Sequence, residues 1–150
     1  MQVDKTYWEK ELSPPYSPSD DDFYIYKNNL SKGETLLLGC THKLISLSDY
    51  QMDIDPWYDA STVIKQEWTT NQKFYTNIIG DGVLNFTEDL TNKIILMCQK
   101  NCKFFMARTF NKKLPNMRVA DYFPLQNNFL IKPYMTIDFK DYNFFYWRFQ

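Results

Sequence analysis

The feature that most constrains this chain is the alternation of two hydrophobic patterns. ETLLLGC (34–40), DYQMDID (49–55), FYTNIIGDG (74–82) and KFFMARTF (103–110) are apolar runs that end in polar or glycine turns. Continuous runs of this kind suit strands covered on both faces. FTEDLTNKIILMCQKNC (86–102) has helical spacing instead. Thr87 can cap it, Glu88 and Asp89 fall in its first turn, and Leu90, Ile94, Met97 and Cys98 share one face. Upstream, Ser17 or Ser19 can cap a helix that opens with Asp20, Asp21 and Asp22, and Gly33 is expected to stop it. THKLISLSD has room for a turn or two of helix. WYDASTVIKQ reads as a short helix and QEWTT as a brief third strand. YMTIDF and FFYWRF read as two strands joined by a KDYN hairpin turn.

Strands alternating with helices and closing in a hairpin predict a doubly wound, Rossmann-like α/β fold. Its sheet is mostly parallel, with an antiparallel C-terminal edge and trimmed helices. A chain of 150 residues suggests a single domain with a core of its own. Within it, 1–33 is expected to form an N-terminal cap loop and helix, 34–110 the core, and 111–150 the C-terminal strands. Aromatic residues make up 18% of the chain, which argues against disorder.

Composition narrows the function classes. The net charge is −1 and the lysines are scattered, so no basic stripe is available for a phosphate backbone and nucleic acid is disfavoured. One histidine and three cysteines without a CxxC pair make a metal site an unfavoured reading. The N-terminus lacks an apolar signal core and no run approaches membrane-spanning length, so a cytoplasmic protein with reduced thiols is expected. In that setting the sequons at Asn29 and Asn85 are chance matches.

In doubly wound sheets, ligands bind beyond the carboxyl ends of the strands, where strand order reverses. The strand-end residues here form a coherent set: Leu38-Gly39-Cys40-Thr41, Met52-Asp53-Ile54-Asp55, Glu67-Trp68 and Gly80-Asp81-Gly82. A carboxylate one strand away from a glycine turn can take a ribose diol. Ile54 can cover a purine face, and a turn without side chains lets the backbone approach the rest.

In order and spacing, residues 7–110 resemble a class I S-adenosylmethionine-dependent methyltransferase, of the branch whose first motif reads LGxTxxL. LLLGCTHKL is similar to its motif I, QMDID to motif II with Asp53 in the place of the ribose acid, QEW to the adenine-flanking motif and IIGDGVLN to motif IV. YWEKEL and YSPSDDDFYIY are similar to its leading cap. The multi-glycine turn is reduced to Gly39, and Leu37 stands where many members carry an acid.

The resemblance implies methyl transfer to a small-molecule acceptor, with S-adenosyl-L-methionine as cofactor. It places Gly39, Cys40, Thr41, Asp53, Ile54, Glu67, Trp68, Asp81 and Gly82 around that ligand, with Tyr16 and Ser19 folding over it. Asp81 and His42 are the candidates for a catalytic role: Asp81 could hold the ligand's amino group or the acceptor, and His42 is the obvious general base, although a turn histidine also reads as simply solvated. Three other readings stay open: a non-catalytic nucleoside sensor or accessory protein, an enzyme that cleaves the donor, and nicotinamide chemistry. Nicotinamide chemistry would want a full GxGxxG turn. SPPY (13–16) matches a motif of amino-methylating nucleic-acid enzymes, but it precedes the first helix and reads as an entry loop. The aromatic C-terminal hairpin is compatible with a homo-oligomer interface.

Overall fold

Each apolar run of the N-terminal half becomes a parallel strand. A computed structural model describes residues 12–114 and 129–149. The first helix, α1 (Asp20–Asn29), starts at Ser19, which forms a reciprocal capping box with Asp22. The chain then alternates through β1 (Thr35–Leu38), the single-turn α2 (His42–Ile45), β2 (Tyr50–Asp53), β3 (Val63–Lys65), a 3₁₀ turn (Trp68–Thr70) and β4 (Tyr75–Asp81). It continues through α3 (Glu88–Asn101) and β5 (Cys102–Phe110), and ends in the hairpin of β6 (Met135–Asp138) and β7 (Tyr142–Arg148).

These strands form one seven-stranded sheet in the order β3-β2-β1-β4-β5-β7-β6. The first five are mutually parallel, and β7 lies antiparallel to both β5 and β6. The Rossmann-like arrangement with an antiparallel C-terminal edge, expected from the pattern, is the one observed. Strand order reverses between β1 and β4, and the paired ends Leu38 and Gly80 put both strand termini at the same level.

The two faces of the sheet are filled by alternate residues of each strand. One face packs Leu36, Leu38, Met52, Ile78, Phe105 and Trp147 against Ile94, Ile95 and Cys98 of α3. The other packs Leu37, Ile79, Met106 and Phe144 against Tyr26 of α1 and Leu44 of α2. Leu37 is fully buried in this second layer, so its position serves packing. Thr87 caps α3 by accepting from the Leu90 amide, as its sequence predicts. Asn85 is buried, and its amide holds both the N–H and the C=O of Phe110.

Three readings need correction. WYDASTVIKQ is not helical: residues 57–62 are bends and turns, and Val63–Lys65 form the third strand. QEWTT is not a strand but leads into the 3₁₀ turn. The reason is local. Val63 and Ile64 are the β-branched pair of this region, and their main chain pairs with Gln51 and Met52. Gly33 does not end α1, which stops at Asn29 with Leu30 as the C-cap. Gly33 instead takes a positive φ of 142° beside Thr76, where a Cβ would collide with the threonine side chain.

The cap residues up to 11 and the proline-marked stretch 115–128 lie outside the described residues. Among the described residues no helix is long and apolar enough to cross a membrane.

Candidate functional site

The carbonyl oxygen of Met52 organises the rim at the ends of β1 and β2. It accepts the Gly39 amide at 2.7 Å and the Trp68 indole N–H at 2.7 Å. Three segments that are remote in sequence are thereby tied at one atom. Gly39 has φ +89°, a conformation that side chains resist. A Cβ added there would lie 3.7 Å from Cζ2 of Trp68, so the indole stands directly beside the glycine turn. Trp68 also lies against Phe86, with ring centroids 6.0 Å apart.

Asp53 ends β2, and one of its carboxylate oxygens accepts the Asp55 amide at 3.0 Å. Among the described residues no cation forms a salt bridge with it. Burial holds its pKa above the usual aspartate range, making it a weaker acid, and the nearby Asp55 charge adds to the shift, against backbone hydrogen bonds from Asp55 and Ile54. A partly desolvated carboxylate with unused lone pairs suits hydroxyl donors. Next to it Ile54 is 69% exposed, an apolar side chain presented to solvent at a strand end.

Cys40 is buried beneath this rim. Desolvation, with the Asp53 charge second, pushes its thiol up to about 12, and the nearby Tyr58 hydroxyl acts weakly the other way. A thiol held protonated is not a nucleophile at neutral pH. Trp57 folds back over the same turn, donating its indole N–H to the Cys40 carbonyl at 2.9 Å. His42 stacks on Trp57, the rings 4.2 Å apart and 20° from parallel. Thr41 is the N-cap residue of α2, without a side-chain capping bond. Glu67 is exposed just past β3 and accepts the Thr69 hydroxyl at 3.0 Å.

Asp81 proves to be committed elsewhere. Its carboxylate is gripped by the Arg108 guanidinium, Nε to Oδ1 at 2.7 Å and Nη2 to Oδ2 at 2.9 Å. Arg108 is 1% exposed, lies between the rings of Phe110 and Tyr142, and also pairs with Asp22 at 3.4 Å. Tyr142 donates to Asp22 at 2.7 Å, and burial together with that carboxylate pushes its hydroxyl up to about 12. A carboxylate gripped in this way is fixed in place at the rim. Gly82 follows with φ +71°, and a Cβ there would lie 3.9 Å from Phe110.

Tyr16 sits in the turn that precedes α1, half-buried. Ser19 is occupied as the α1 cap, its hydroxyl accepting the Asp22 amide at 3.1 Å. Gly39, Asp53 and Asp81 therefore stand at the ends of three neighbouring strands, with Trp68 alongside. Sequence reasoning missed Arg108, Tyr26 and Trp57. Only Arg108 carried a signal, as a lone cation inside an apolar strand.

No family model matches the chain, and no curated protein matches it. Solved structures do. Magnesium protoporphyrin IX methyltransferase (ChlM) from Synechocystis PCC 6803 with bound SAM superposes with a TM-score of 0.59 at 12% identity, covering 87% of this chain and 77% of that one. The same enzyme with bound SAH gives 0.58 at 11% identity, covering 85% of this chain and 78% of that one. The chain shares the Rossmann-like fold of these methyltransferase structures.

Proposed function

We propose that this chain, built on the methyltransferase fold, binds S-adenosylmethionine over the ends of β1, β2 and β4 and transfers its methyl group to a small-molecule acceptor. The observation that carries the reading is the convergence at Met52: a positive-φ glycine and an indole meet at its carbonyl, next to Asp53, at the ends of β1 and β2 and one strand from the β1–β4 reversal. This donor set fits an adenosine. Asp53 would take the ribose hydroxyls. Ile54 and Trp68 offer apolar and aromatic surface to the base, and Glu67 offers an acceptor to its amino group. The Gly39-Cys40-Thr41 turn and the Asp81-Gly82 turn would close on the remainder. Nothing in this set is arranged for a pyrophosphate, which favours a sulfonium donor over a dinucleotide.

When bound, the donor supplies a methyl group already activated on sulfur. The contribution of the protein is then chiefly alignment, which can supply about 7–11 kcal/mol of barrier reduction in good cases. Asp81 is neutralised by Arg108 and His42 is stacked on Trp57. An acceptor that is nucleophilic without deprotonation needs no dedicated base, and the reading favours one of that kind.

The test is a thermal-shift and calorimetry panel of S-adenosylmethionine, S-adenosylhomocysteine, methylthioadenosine and NAD. Binding of the first two, with none of NAD, is expected. Asp53→Ala should weaken that binding by about 1.5–3 kcal/mol through loss of charge-assisted bonds. Preference for NAD, or an unchanged affinity in Asp53→Ala, would overturn the proposal. A donor that binds but methylates nothing in a metabolite extract would favour the sensor reading instead.

A further inference from the structure

The turn after β1 is held by residues on both sides of Asp53. Before Asp53, the Met52 carbonyl accepts the Gly39 amide at 2.7 Å. After it, Trp57 donates its indole N–H to the Cys40 carbonyl at 2.9 Å. The path from Asp53 to Trp57 is short and stiff. The Asp55 amide is tied back to the Asp53 carboxylate, and the ring of the buried Pro56 fixes one backbone angle. The Trp57 ring has close neighbours of its own, His42 at 4.2 Å and Tyr58 at 4.5 Å between centroids. The far end of the 54–62 connection is anchored separately. There the Thr62 hydroxyl donates to the side-chain oxygen of the buried Gln51 at 2.9 Å, and the Thr62 carbonyl accepts the Gln51 amide at 3.1 Å.

We propose that Trp57 is a positioning residue of the donor site: its indole N–H orients the Cys40–Thr41 peptide and fixes the span between the glycine turn and the Asp53 carboxylate. The inference rests on the functional reading above and deepens it. A trans peptide is planar, with its C=O and N–H pointing opposite ways. A Cys40 carbonyl aimed at Trp57 therefore turns the Thr41 amide away from the 54–62 connection. A ligand with its ribose on Asp53 and its remainder across the Gly39-Cys40-Thr41 turn has to match both places at once. The bonds at Met52 and Trp57 hold that spacing before a ligand arrives, and a site ordered in advance loses less on binding. Without the indole N–H, the Cys40 carbonyl is released and only the Gly39 amide still ties the turn to β2.

The test uses the full chain and S-adenosylhomocysteine as probe. Trp57→Phe keeps a ring to lie against His42 and removes the donor. It is expected to bind the probe about tenfold more weakly, the worth of one good hydrogen bond in the site. Thr62→Val removes a hydrogen bond from the other end of the same connection. It should lower the melting temperature and leave affinity near that of the wild type. Wild-type affinity in Trp57→Phe would overturn the proposal. So would an equal loss in both variants, which would trace to the stability of the connection in general. A second measurement needs no variant. In the wild-type protein, saturating S-adenosylhomocysteine should slow hydrogen exchange at the Trp57 indole N–H together with the Gly39 amide. Slowing at Gly39 with the indole unaffected would contradict the coupling. A wild-type protein that binds no S-adenosylhomocysteine at all would fail the functional reading first, and with it the role of Trp57.

Discussion

Asp53 illustrates a conflict between binding and stability. Desolvation raises its pKa in the folded protein, so its charged form opposes folding, an effect that sets in above the unfolded value and is complete above the raised one. Asp53→Asn keeps an oxygen for the Asp55 amide and removes the charge. Thermal denaturation at neutral pH should therefore find the ligand-free variant as stable as wild type or more so. The difference should vanish in acid, where the wild-type carboxylate is protonated as well. Donor affinity should run the other way, weakening in the wild type as pH falls through the raised value and weakened in the variant at every pH. A variant that is destabilised at neutral pH but binds normally would contradict this account of the residue. Asp53 and Gly39 were legible as strand-end positions because each closes an apolar run, whereas Trp68 was placed on a strand that is instead a 3₁₀ turn. Asp81 was legible as a rim position, but its ion pair was not. Its partner Arg108 lies 27 positions away, and sequence spacing does not show which charges a fold brings together.

The elements divide the same way. β1, β4, β5 and α3 follow from uninterrupted hydrophobic runs and a clear cap. β3 was displaced by a few residues because three residues carry too little pattern to outweigh the Trp-Tyr pair before them. The junction of α1, β4, β5 and β7 could not be read at all, since it is made by Asp22, Asp81, Arg108, Tyr26 and Tyr142, one or two from each element. Arg108 holds these elements together. Arg108→Met should cost about 3–5 kcal/mol, because two carboxylates then stay buried without a counter-charge. Denaturant unfolding should show that loss at neutral pH, and part of it should be recovered in acid as the carboxylates protonate. A loss below about 1 kcal/mol would mean that the pair is weakly coupled to the fold.

For the molecule as a whole, the alternation of patterns was enough to predict the sheet and its class. The hairpin of β6 and β7 completes an order in which β1 and β4 flank the reversal. Fold alone does not assign chemistry, and the solved methyltransferase structures share only 11–12% identity with this chain. The functional account therefore rests on the one rim where glycine, carboxylate and indole meet. Its most direct test is a titration of the isotope-labelled protein with S-adenosylhomocysteine, followed by NMR. The amides of Gly39, Ile54 and Gly82 and the Trp68 indole N–H should shift together along one binding curve. Saturation of the protein with those four signals unmoved, and shifts clustered elsewhere, would contradict the account.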